Sequence, residues 1–184
     1  MRRVLKVLAL SAVVALVWAP VQARADGFVI PWASGNFGNS SIESASSFGV
    51  SAGGMGAGVI GGEVDFGYAP NFFGESVNNY VMTTMGNLIV GIPIGGQHGP
   101  GIRPYVAGGV GLIRSHQDVI GASAVNNNDF GYDLGGGVMG FFAEHVGLRG
   151  DLRYFRNFQE STNPLSIEPG AFHFWRASVG LVLR

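Results

Sequence analysis

Two carboxylates stand two residues apart at Glu63 and Asp65, with Asp133, Arg149, Asp151, Arg153 and Arg176 further along the chain. Paired carboxylates on one face are the raw material of general acid–base catalysis, in which one partner must keep its proton near neutral pH. These two are i, i+2 neighbours on a strand. Nearby arginines hold both ionised, so the set reads as structural ion pairs rather than a catalytic dyad. Ser115 and His116 are a nucleophile and a base by composition. Adjacent residues of an extended chain point apart, however, and no orienting acid stands at a fixed spacing. His116 therefore reads as an exposed loop histidine. His98, His116, His145 and His173 lack ligand spacing, and the chain has no Cys, so neither a metal centre nor a disulfide framework is expected. Gly53–Gly54 and Gly135–Gly137 superficially resemble phosphate loops, but they lie inside strands and not at a strand-to-helix turn. The expectation is no catalytic residue, no cofactor and no metal.

The elements that must position these groups are strands. The chain has 184 residues, room for one domain, with 12% charged residues and 31 Gly. Charge is far below the level usual for soluble domains, and Gly is more than double its usual share. At the N-terminus Arg2, Arg3 and Lys6 precede an apolar run from Val7 to Trp18, and Ala23-Arg24-Ala25 offers small residues to a signal peptidase. This reads as a secretory leader over residues 1–25, too short to span a membrane as a helix of about 20 residues. Its removal takes Arg2, Arg3, Lys6 and Arg24 from the eleven basic residues. Seven Arg then face twelve acids, a net charge of −5 without a single Lys. Such a chain lacks the basic footprint of a nucleic-acid binder.

After Ala25 no helical apolar period survives, and Gly is too dense for helix interiors. What recurs is alternation over about ten residues between Gly, Asn or Pro clusters. Val64, Phe66 and Tyr68 alternate with Glu63, Asp65 and Gly67. Leu148, Leu152 and Tyr154 alternate with Arg149, Asp151 and Arg153. Trp175, Ala177, Val179, Leu181 and Leu183 alternate with Arg176, Ser178, Gly180 and Val182. Eight strands are predicted, over 28–38, 46–55, 59–69, 78–92, 103–114, 129–142, 146–156 and 173–184. The alternation around Pro31 and Trp32 leaves the register of the first strand open. Connections at 56–58, 95–101 and 144–145 are short; those at 39–45, 70–77, 115–128 and 157–172 are long and rich in Asn, Ser, Asp and Pro. Short turns on one side and long loops on the other, with an even strand number, are the pattern of an eight-stranded antiparallel transmembrane β-barrel, an all-β up-and-down meander. A soluble sandwich would turn the same charged face outward.

In a membrane barrel the charged face turns inward. Glu63, Asp65, Asp133, Arg149, Asp151, Arg153 and Arg176 then form a salt-bridge network plugging a lumen only wide enough for side chains. Gly109, Gly111, Gly135 and Gly137 leave room for it. Tyr68, Tyr80, Tyr132, Tyr154 and Trp175, with Phe48, fall near the long-loop end as an aromatic girdle, and Tyr105 and Phe142 near the other end. Arg114 and Arg156 lie near the upper rim, within reach of lipopolysaccharide phosphates.

Gly62-Glu63-Val64-Asp65-Phe66-Gly67-Tyr68-Ala69-Pro70 with Asn71-Phe72-Phe73, Arg103-Pro104-Tyr105-Val106-Ala107-Gly108-Gly109-Val110-Gly111, residues 147–156 and the closing residues 175–183 together resemble the small outer-membrane protein beta-barrel domain family, the OmpA-like barrels. The resemblance spans the mature chain, residues 26–184. It implies a cell outer membrane location, lipid and lipopolysaccharide as surroundings, and delivery by the barrel-insertion machinery. The chain departs from the family in ending on Arg184, where many such barrels end in an aromatic, and in carrying no periplasmic domain after the barrel. The family is functionally mixed. The first expectation is a non-enzymatic barrel for envelope integrity or surface interaction and adhesion. A narrow pore for small solutes and a lipid A-modifying barrel enzyme are the alternatives, the latter without the His-x-Ser pairing such enzymes carry on a strand.

Overall fold

The structure, a computed structural model, describes residues 25–39, 42, 46–74, 78–95, 99–118, 125–158 and 172–184. The leader reading falls outside these residues apart from Ala25. Eight strands run in chain order: β1 (Ala25–Phe37), β2 (Ser46–Gly56), β3 (Ile60–Pro70), β4 (Asn79–Gly91), β5 (Gly101–Gln117), β6 (Val125–Phe141), β7 (Val146–Asn157) and β8 (His173–Leu183). Each pairs with the next, and β1 with β8, so the sheet closes into a meander barrel with every neighbour antiparallel. Among the described residues no helix is long and apolar enough to cross a membrane.

The tight turns follow from their residues. Ala57 and Gly58 both take positive φ, 51° and 70°, and the Val59 N–H donates to the Gly56 carbonyl at 3.0 Å. Positive φ at both central positions is the hairpin turn whose twist matches its strands.

Pleating sends alternate side chains to opposite faces, and here the faces are inverted relative to a soluble fold. Leu88, Val106, Leu134, Leu148 and Val179 are among the large apolar residues exposed around the outside, while Glu63, Asp65, Asp133, Arg149, Asp151, Arg153 and Arg176 are buried inside. An apolar belt of this extent is far larger than any patch a soluble monomer exposes. Hydrocarbon is the surrounding that makes it favourable.

Two boundaries correct the sequence reading. β5 and β6 extend to Gln117 and from Val125, with rungs Ser115↔Asn127, His116↔Asn126 and Gln117↔Val125, so half of the expected loop 115–128 is strand. β7 reaches only Gly131 on β6, and the ribbon rises above that side of the barrel. Its residues are polar on both faces, so the hydrophobic alternation stops before the strand does. In β1 the register is now fixed: Phe28, Ile30, Trp32 and Asn36 are buried in the lumen, and Val29, Pro31, Ala33 and Phe37 face out.

The seam between β1 and β8 is the least continuous. Its rungs run from Trp32↔Gly180 to Phe37↔Trp175 and resume at Val29↔Leu183, skipping Ile30 and Pro31. The break coincides with Pro31, which has no N–H to donate.

Candidate functional site

The lumen is layered. At the short-turn end Phe28, Ile30, Met55, Ile89, Ala107, Met139, Phe141 and Val182 form an apolar plug. At the long-loop end Ala69, Phe72, Val81, Met85, Ile113, Phe155 and Phe174 form a second. The charged residues lie between them.

The sequence brings these charges together because each occupies an inward position on its strand. Arg153, fully buried, is the hub. It donates from Nη2 to Glu63 Oε1 at 2.6 Å, from Nη1 to Asp133 Oδ2 at 3.1 Å and from Nε to Asp151 Oδ1 at 2.9 Å. Arg149 pairs through Nη1 with Glu63 Oε2 and through Nη2 with Asp151 Oδ2 at 2.9 Å. The Asn87 amide bridges the hub once its nitrogen is turned to Asp133 Oδ1 (2.5 Å) and its oxygen to Arg153 Nη1 (2.6 Å). One array thus joins β3, β4, β6 and β7. The remaining pair stands beside it. Arg176 Nη2 donates to Asp65 Oδ1 at 2.8 Å. Its guanidinium lies 4.1 Å from the centre of the Trp32 ring and 4.7 Å from that of Phe155. The other oxygen of Asp65 accepts from Ser51 Oγ at 2.7 Å and Trp32 Nε1 at 3.1 Å. Arg forks suit such bidentate sharing of carboxylates, and burial without partners would cost each ion several kcal/mol.

Tyr105 is a correction. Expected in the lower girdle, it is 5% exposed inside the lumen. Its hydroxyl accepts from Arg149 Nε and donates to Asp151 Oδ2, and the Arg149 guanidinium lies over its ring. It shares strand parity with Ala107 and Gly109, and Arg149 and Asp151 supply the hydrogen-bond partners a buried phenol needs.

Sequence reasoning also missed Arg103, Trp32, Asn87 and Ser51. Arg103 is 3% exposed, over the Phe141 ring at 5.3 Å. With it, four buried acids face four buried arginines and the described lumen is neutral in formal charge. Parity on β5 carries this signal. Trp32 and Asn87 carried none, because the register around Trp32 was open and Asn87 is neutral.

The outer face bears the other expected residues. Phe48, Tyr68, Tyr80 and His116 touch in sequence around the rim, with ring centres 5.7, 5.6 and 4.9 Å apart. Tyr154 meets Trp175 at 5.1 Å and Tyr132 meets Phe158 at 5.4 Å. Phe142 is exposed at the short-turn end. Arg114 and Arg156 face outward and flank β6, opposite Asn128 and Tyr132. His116, expected on an exposed loop, sits half-buried on β5. Its ring nitrogens are taken by Asn126 Oδ1 at 2.7 Å and Asp118 Oδ1 at 3.3 Å, leaving neither for Ser115. Among the described residues no group of His, Asp and Glu is arranged to hold a metal.

No curated protein matches the chain. Solved structures do. Neisserial surface protein A aligns over 86% of this chain and 97% of its own, at 21% identity and a TM-score of 0.66. The N-terminal barrel of Pseudomonas aeruginosa OprF aligns over 87% and 98%, at 16% identity and a TM-score of 0.59. The attachment invasion locus protein Ail of Yersinia pestis, solved with the heparin analogue sucrose octasulfate, aligns over 85% and 97%, at 10% identity and a TM-score of 0.52. These likenesses concern the fold. Residues 9–181 match the outer membrane protein beta-barrel domain, and the chain belongs to that family of outer-membrane barrels.

Proposed function

We propose that this chain is a non-enzymatic outer-membrane protein whose sealed barrel is a rigid stem for four external loops, serving envelope integrity or surface interaction and adhesion. Residues 1–25 act as its cleaved leader, and the insertion machinery receives the mature chain. The observation that carries the reading is the lumen: an apolar plug at each end and an ion-paired layer between them. Solute passage would have to break the ion pairs and open both plugs. In planar bilayers the protein is expected to give no stepwise single-channel currents above the membrane leak. A steady open conductance would replace this reading with the pore. The lipid A-modifying alternative has no free base at His116 to rest on.

The loops narrow the external partner. Segments 39–45, 70–77, 115–128 and 157–172 contain Glu43, Glu75, Asp118, Glu160 and Glu168 and no Lys or Arg. A sulfated polyanion such as the ligand solved with Ail would meet repulsion here, so a neutral or basic protein surface suits this chain better.

Arg114 and Arg156 are the lipopolysaccharide contacts of this reading, placed outward beside the aromatic rim. Near a charged membrane surface each Arg contributes about 1 kcal/mol. The Arg114→Ala/Arg156→Ala variant is expected to lose roughly 2 kcal/mol of the stabilisation that lipopolysaccharide gives over plain phospholipid. Urea titrations in the two lipids measure it. An equal loss in both would sink the contact.

A further inference from the structure

Beside the Arg176–Asp65 pair, against the upper plug, lies a partly open cavity of about 10 Å³ lined by Trp32, Asn36, Ser47, Gly67, Thr83 and Arg176, with Phe174 of the plug on its wall. Two polar groups on its wall are buried without a hydrogen-bond partner, Thr83 Oγ1 and Arg176 Nε; their residues are 4% and 3% exposed. Gly67 keeps the space open. A side-chain carbon there would meet Thr83 Oγ1 at 2.7 Å, Arg176 Nη1 at 3.0 Å and Trp32 at 3.0 Å.

We infer that this cavity is a binding site for one structural water, held by Thr83 and Arg176. Its size suits a single water, which requires roughly 10–15 Å³ and two to four polar partners. Arg176 Nε is a donor only, and the Thr83 hydroxyl can donate or accept, so one water oxygen satisfies the arginine while its protons or lone pairs satisfy the threonine. Charge selects water over a halide. The positive charge of Arg176 is already matched by Asp65 at 2.8 Å, and an added anion would leave an excess charge in a low-dielectric interior. The water completes the hydrogen bonds of Arg176, whose guanidinium is otherwise enclosed by the Trp32 and Phe155 rings.

The test pairs a crystal structure with two substitutions. Crystals of the detergent-solubilised barrel should show one peak in the cavity within hydrogen-bond distance of Thr83 and Arg176, and bromide soaking should leave it without anomalous signal. An empty cavity, or a bromide peak, overturns the site. Independently, Thr83→Val should lower the folding equilibrium constant about tenfold in urea titrations, while Thr83→Ser stays within about twofold of the parent, because the valine deprives the buried water of a partner and the serine hydroxyl keeps it. Without the water, Thr83→Val removes an orphaned hydroxyl and is neutral or stabilising. That sign rejects the site even if no crystal grows.

Discussion

Arg153→Met is expected to cost 3–5 kcal/mol, roughly the penalty for leaving buried charges without their partner. The residue is fully buried, and its three donor positions hold Glu63, Asp133 and Asp151 together. Without it Glu63 and Asp151 share one remaining arginine, Arg149, and Asp133 loses its ion pair and keeps the Asn87 amide. A loss of this size takes a large share of a typical stability of about 5–15 kcal/mol. The readout is gel mobility of the unboiled, detergent-extracted protein across a urea series, since a closed barrel migrates differently once unfolded. The folded band should vanish at much lower urea in the variant. Arg153→Lys should recover only part, because an ammonium is a point charge without the planar fork. Adding Glu63→Gln to Arg153→Met should restore some of the loss by removing one orphaned charge. A neutral Arg153→Met would mean that the array contributes nothing to folding.

Gly137→Ala is expected to be comparably severe although it adds one methyl group. A Cβ there would lie 2.1 Å from the Gly150 carbonyl oxygen and 2.8 Å from the Tyr105 hydroxyl. Backbone cannot yield as a flexible side chain can, and shifting Tyr105 also breaks its bonds to Arg149 and Asp151. Overpacking of this kind costs about 1–3 kcal/mol or more. Gly140→Ala, on the same strand, is the control: nothing lies within 4 Å of its added carbon, so the change should be neutral or slightly stabilising through the unfolded chain. The two urea midpoints, compared side by side, decide the matter. Equal midpoints would show that the close approach at Gly137 is relieved by a small strand movement.

How much of this was legible beforehand depended on contrast between the two faces of each strand. On β3, β7 and β8 charged residues alternate with apolar ones, so Glu63, Arg153 and Arg176 could be assigned inward from parity alone, and all seven expected lumen charges are buried. On β1 both faces are apolar, and Trp32 and Pro31 looked alike until the pairing fixed which one faces Asp65. On the β5–β6 ribbon both faces are polar, so Ser115, His116 and Asn126–Asn128 read as loop. Tyr105 went to the wrong face because its type suggested an interfacial residue, although its parity said otherwise. The apolar plugs were hidden for the same reason: hydrophobicity marks a lipid-facing Leu148 and a lumen-filling Met139 identically. The water site itself had no signal in sequence, although Arg176 was read as inward, since it exists only where Gly67, Thr83 and Arg176 converge from three strands.

The interrupted seam at Pro31 concerns assembly as well as the finished molecule. β1 and β8 are the strands furthest apart in the chain, so their pairing closes the largest loop and tends to come last. Until then each is a raw edge, able to zip onto a foreign strand. A proline on β1 withholds one donor from any such partner. The native seam tolerates the missing rungs because β1 is held along its other side by β2 from Ala25 to Gly35. A stranger has no such support, so the flaw weighs more on misassembly than on closure.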